Sequence, residues 1–139
     1  MFNHAVLVGP AFGSIVVLII NILSVAIGHG GWGLIGANLV INLIEVIVAY
    51  SLFRGLKKII PGGFALGAIV TVMGLFCGNQ AMIIIILVSG IQGVTQTSSQ
   101  VLNGLILLAG INMVVAIIEA VITGMIITYI LRVRPDILE

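Results

Sequence analysis

Four stretches of this sequence each run for about 20 residues with at most one charge inside them, the length a helix needs to cross a bilayer. They fall at residues 6–27, 33–53, 64–90 and 111–131. A chain built this way has few alternatives. Of its 139 residues 61% are apolar and 6% charged, with a mean hydropathy of +1.40. A water-soluble domain carries charge on about 25% of its residues, so lipid is the solvent this sequence fits. The expected fold is all-α: one polytopic membrane domain over residues 1–139, a bundle of about four transmembrane helices. The single Cys77 lies in an apolar run and reads as a small packing residue rather than part of a disulfide framework. The start, "MFNHAVLVGPAFG", has no basic n-region, which argues against a cleaved signal peptide.

Lys and Arg orient the spans. Arg54, Lys57 and Lys58 follow the second, and Arg132 and Arg134 follow the fourth. Basic residues mark cytoplasmic ends, so both termini are expected inside a cell membrane. The turn "GHGG" at 28–31 and the polar run "VTQTSSQ" at 94–100 are then expected outside. Residues 101–109, "VLNGLILLA", are too short to cross. They read either as a re-entrant or interfacial piece, or as an extension of the fourth span.

Two segments echo each other. "GANLVINLIE" at 36–45 and "GINMVVAIIE" at 110–119 share Gly, Asn, Val, Ile and Glu at matching positions. "FGSIVVLI" at 12–19 and "LGAIVTVM" at 66–73 are a fainter pair. One reading is a parallel two-helix repeat, an arrangement common in transporters. The other is chance likeness between apolar segments.

Helical periodicity places Asn38, Asn42, Glu45 and Ala49 on one face of the second span, and Asn112, Ala116, Glu119 and Thr123 on one face of the fourth. Unsatisfied polar groups in hydrocarbon cost several kcal/mol, so these faces are expected to look inward, onto a polar seam shared by the two helices. At about 1.5 Å per residue, Glu45 stands roughly 13 Å from Arg54 and Glu119 roughly 20 Å from Arg132. Local geometry therefore pairs neither acid with a base. Each is protonated, hydrogen-bonded to Asn or Thr, or beside a cation or water. The functional reading is a cation path or switch, and the plain alternative is neutral acids bonding helices together. Gly67, Gly74 and Gly78 make a small-residue face on the third span, and Ala116, Ala120 and Gly124 another on the fourth, as close helix contact requires.

His29, in the outer turn, and His4, before the first span, are weak candidates for metal ligands, since imidazole suits Co²⁺, Ni²⁺ and Zn²⁺. By the predicted topology they lie on opposite membrane sides and cannot share an ion. No catalytic constellation appears: there is no Ser-His-Asp set, no CxxC, no P-loop and no HExxH. An enzyme is therefore not expected. The sparse basic residues do not suit nucleic-acid binding.

"GHGGWGLIGANLVIN" at 28–42 resembles the GG-x-x-x-x-GAN stretch of the cobalt/nickel substrate-binding membrane component of energy-coupling-factor transporters, the CbiM/NikM type. "EAVITGMIITYILRVRPDIL" at 119–138 resembles the end of the same family, and Gly9-Pro10 with its apolar helix also fits. The likeness covers the family's C-terminal two-thirds, with a poorly matched middle from 64 to 105. It implies a permease component handling Co²⁺ or Ni²⁺ as substrate, with no covalently bound cofactor. The implied partners are membrane lipid, a transmembrane coupling subunit and cytoplasmic ATPase subunits. The metal would serve cobalamin synthesis or nickel enzymes. The family's metal site uses a Met-His amino terminus and a later His-x-Thr-Gly motif. Here position 2 is Phe, that motif is lacking, and Asn112 stands where many relatives carry His. The resemblance therefore implies a further, N-terminal chain. Two other readings stay open: a non-transporting scaffold or accessory subunit, and a small homo-oligomeric cation channel.

Overall fold

The computed structural model describes residues 2–28, 32–90 and 97–133, with side chains in the first segment from Gly9 onward. It holds four long helices: α1 (Phe2–Ala26), α2 (Ile35–Leu56), α3 (Gly63–Ser89) and α4 (Ser98–Val133). A single 3₁₀ turn, Trp32–Leu34, leads into α2. All four helices are long and apolar enough to span a membrane. Aliphatic side chains cover the outside, among them Ile19, Ile47, Ile84, Val114 and Ile118. In lipid such a surface has no desolvation cost to avoid.

The first helix is not continuous. Gly9 sits at φ 85°, ψ 168° and breaks it, so the crossing piece is Gly9–Ala26 rather than a segment starting near residue 6. The cause is local. Pro10 has no amide hydrogen and disfavours the helical region for the residue before it, and Gly alone adopts the resulting geometry readily. A Cβ at Gly9 would meet nothing within 4 Å. Gly9→Ala therefore isolates backbone strain: a loss of about 1–3 kcal/mol is expected, read by unfolding in detergent. Pro10→Ala added to it should recover most of the loss by letting the helix run straight.

The second helix ends at Leu56 and the third starts at Gly63, on either side of Pro61-Gly62. The third closes on Gly90 in the left-handed conformation at φ 63°, a common glycine cap. Residues 101–109 prove to be part of one 36-residue α4, which settles the open question in favour of extension. Thr97 and Gln100 set its start: the Gln100 Oε1 accepts from the Thr97 amide at 3.1 Å, half of a capping box. The polar run at 94–100 thus already contains the first turn of a helix.

Packing follows chain order. α3 lies most extensively on α4, then α2 on α3 and α1 on α2, while α1 and α4 touch only slightly. α2 and α4 make little direct contact, and α3 packs on both of them. The half of the bundle nearest Arg54 is dry, packed from Ala49, Phe53, Leu66, Val70 and Ile127. Cys77 is half-buried and in no disulfide.

Candidate substrate chamber

The other half of the bundle is polar inside. A cavity of about 290 Å³ opens there, with walls from all four helices. Helix α1 contributes Asn21 and Ser24 near its C-terminal end, and α2 contributes Asn38, Asn42 and Glu45 from its first three turns. Asn79 comes from the C-terminal half of α3, and Asn112 from α4. The three α2 residues share the face expected from their spacing. Below Glu45, Ala49 and Phe53 of the same helix enter the dry core, so the cavity has a floor.

Two asparagine pairs hold the walls. Asn42 donates through Nδ2 to Asn21 Oδ1 at 3.3 Å, joining α2 to α1. Asn21 in turn donates to the Val17 carbonyl at 2.8 Å. Asn112 donates to Asn79 Oδ1 at 3.0 Å, joining α4 to α3. The Nδ2 of Asn79, a residue only 6% exposed, has no hydrogen-bond partner among the described residues. Asn21 and Asn79 were not foreseeable from the stripes, since neither belongs to a periodic polar face. The available signal was the residue type itself: a lone amide deep in an apolar span must find a partner. The pairs predict an asymmetry. Asn42→Leu leaves Asn21 bonded to Val17 and should cost about 0.6 kcal/mol, whereas Asn112→Leu strips Asn79 of its partner and should cost about 1–2 kcal/mol. Equilibrium unfolding in detergent would show the difference, and equal losses would count against this bonding scheme.

Glu45 is buried at 9% exposure, its side chain folded across Gly78 of α3. A Cβ at Gly78 would fall 2.6 Å from the Glu45 Cδ. The GxxxG formed by Gly74 and Gly78 is therefore used within the chain, and one of its glycines makes room for an acid.

The remaining expected residues divide. Glu119 is half-buried on α4 and is not among the residues that line the cavity. Thr123 is buried in the dry half and is no part of the chamber. Of the six residues of the expected seam, Asn38, Asn42, Glu45 and Asn112 line the cavity, while Glu119 and Thr123 follow further along α4 toward its basic end. His29 and the side chain of His4 lie outside the described residues. Among the described residues no three His, Cys, Asp or Glu come together as a metal cluster.

The described residues thus form a four-helix membrane bundle with a cavity lined by polar side chains toward one end and a dry core toward the other. Sequence comparison gives the family. The profile of the family described as CbiM, the cobalt uptake substrate-specific transmembrane region, matches residues 3–137, and the chain belongs to that family. Two proteins of Methanocorpusculum labreanum, provisionally named cobalt transport proteins CbiM 1 and CbiM 2, are each 30% identical to it over 135 and 139 residues. A provisionally named metal transport protein of Haloquadratum walsbyi is 28% identical over 134 residues. Each alignment covers 94–95% of this chain and 58% of the relative. The chain thus spans a little over half the length of the curated relatives it matches. No solved structure matches it. The family is one of transport and not of catalysis.

Proposed function

We infer that this chain is the membrane-embedded, substrate-handling component of an uptake system for Co²⁺ or Ni²⁺. The observation that carries this reading is the one-ended chamber: four helices of a cobalt-uptake family surround a polar cavity whose far side is sealed by a dry core. A sealed chamber suits capture and coupled release. It disfavours a pore running through one chain. The basic residues Arg54, Lys57, Lys58 and Arg132 cluster at the sealed end, so the positive-inside rule turns the open end outward and puts both termini in the cytoplasm. Energy then comes from other chains: a transmembrane coupling subunit with cytoplasmic ATPases of the energy-coupling-factor type.

The test is purification from native membranes in mild detergent, with mass spectrometry of what comes along, and radioactive cobalt uptake by cells with and without the gene. Co-isolation of an ATPase pair and an uptake defect on deletion are expected. Isolation of the chain without ATPases, together with unchanged cobalt and nickel accumulation, would overturn the reading in favour of an accessory role.

A further inference from the structure

We propose that the chamber itself is a binding station for a divalent cation that keeps its water shell, held by oxygen donors at the level of Glu45. The proposal rests on the transport reading above and adds the chemical state of the ion within this chain.

The donor set decides the chemistry. Among the described residues the walls offer one carboxylate from Glu45, the amides of Asn21, Asn38, Asn42, Asn79 and Asn112, and the Ser24 hydroxyl, and none of these is an imidazole or a thiolate. Direct capture of Co²⁺ or Ni²⁺ favours nitrogen or sulfur ligands, whereas carboxylate, carbonyl and water suit ions in an all-oxygen octahedron. A hydrated ion presents outward-pointing water hydrogens, and carboxylate and amide oxygens are the groups that accept them. Size agrees. At about 30 Å³ of liquid volume per water, a cavity of about 290 Å³ takes an ion with its first shell.

A second observation points to a ligand independently. Asn79 has one amide end tied to Asn112 and the other without a partner, on a side chain only 6% exposed. A buried amide end of this kind is costly unless something polar meets it. The two ends of an amide are interchangeable by rotation. Turning Asn79 and Asn112 together preserves their mutual bond and presents Asn79 Oδ1 instead of Nδ2. The pair can thereby offer an acceptor to the waters of a bound cation. Glu45 is the group that can carry negative charge here, and among the described residues no lysine or arginine lines the chamber, so a cation is the counter-charge this arrangement admits when the acid ionises.

The experiment uses the full chain in nanodiscs of zwitterionic lipid, with Mn²⁺ and Co²⁺ as probes. Manganese resonance spectra with exchangeable water protons in the inner shell are expected. Bound Co²⁺ should show the weak absorption of six oxygen ligands. Glu45→Gln should weaken binding at least tenfold and Asn79→Leu several-fold, with helical circular dichroism retained. Asn38→Ala is a milder variant should Asn79→Leu not fold. Intense blue four-coordinate cobalt bands, nitrogen hyperfine coupling from imidazole, or no binding by the folded chain would each overturn the proposal. Cellular uptake separates the two readings. Normal cobalt uptake with a chain that binds no ion sinks the station and spares the transporter. Ion binding without uptake does the reverse.

Discussion

Gly78→Ala is expected to abolish cobalt accumulation while leaving a folded protein. The new methyl would occupy the space in which the Glu45 side chain lies, meeting its Cγ, Cδ and Oε1. All three atoms belong to one flexible side chain, so the clash is relieved by swinging Glu45 away rather than by parting α2 from α3. Overpacking of this kind costs about 1–3 kcal/mol, a modest loss for a bundle whose dry half is untouched. The function is hit harder, because the only carboxylate that the described residues place on the chamber wall loses its position. Uptake of radioactive cobalt should fall at least tenfold, with detergent unfolding shifted by no more than that stability loss. The double variant Glu45→Ala with Gly78→Ala removes the clash, and should regain stability without regaining uptake. Full transport by Gly78→Ala would mean that the position of this acid is irrelevant to the solute.

The extent to which the sequence foretells this chamber depends on which physical signal each residue carries. Asn38, Asn42 and Glu45 declare themselves by helical spacing, and one helix suffices to interpret them: they share a face and line one cavity. The spans follow from apolar length alone, and the break at Gly9 from Gly followed by Pro, although hydropathy runs through it undisturbed. What periodicity cannot supply is the identity of the neighbouring helix. The likeness between 36–45 and 110–119 points to α2 and α4, which line one cavity with little direct contact, and the immediate partners of Glu45 and Asn112 are Gly78 and Asn79 of α3. Both lie in "CGNQAM", where the glycine registers as a packing residue and the asparagine as an isolated polar exception. The α4 start is a different case. Half of a capping box is written in Thr97 and Gln100, but the polarity of those residues mimics a loop. A rule that treats every intramembrane amide as half of a pair would have found Asn21 and Asn79.

Gly124→Leu is expected to destabilise the protein more than any other single change considered, because here nothing flexible can yield. A Cβ at Gly124 would meet the Phe64 carbonyl oxygen at 2.8 Å, and one at Gly67 would meet the Gly124 Cα at 3.0 Å. These are backbone atoms of two helices at their closest approach, with Thr71 and Ile127 buried beside them. Without a hydrophobic drive between helices in lipid, close packing and hydrogen bonds supply the association, so separating α3 from α4 removes the largest contact in the bundle. A loss at or above about 3 kcal/mol is expected, read as earlier unfolding in detergent and as loss of a disulfide engineered across the two helices. Gly110→Ala serves as the contrast. A Cβ there meets nothing within 4 Å, and alanine favours the helix by about 0.8–1.0 kcal/mol over glycine, so that variant should be as stable as the parent or more so. The chamber would feel the difference too: the Asn79–Asn112 bond lies further along the same helix pair, and a splayed α3–α4 hairpin cannot keep it. If Gly124→Leu unfolds like the parent, α3 and α4 do not cross at these glycines, and the wall that Asn79 and Asn112 form together has no support.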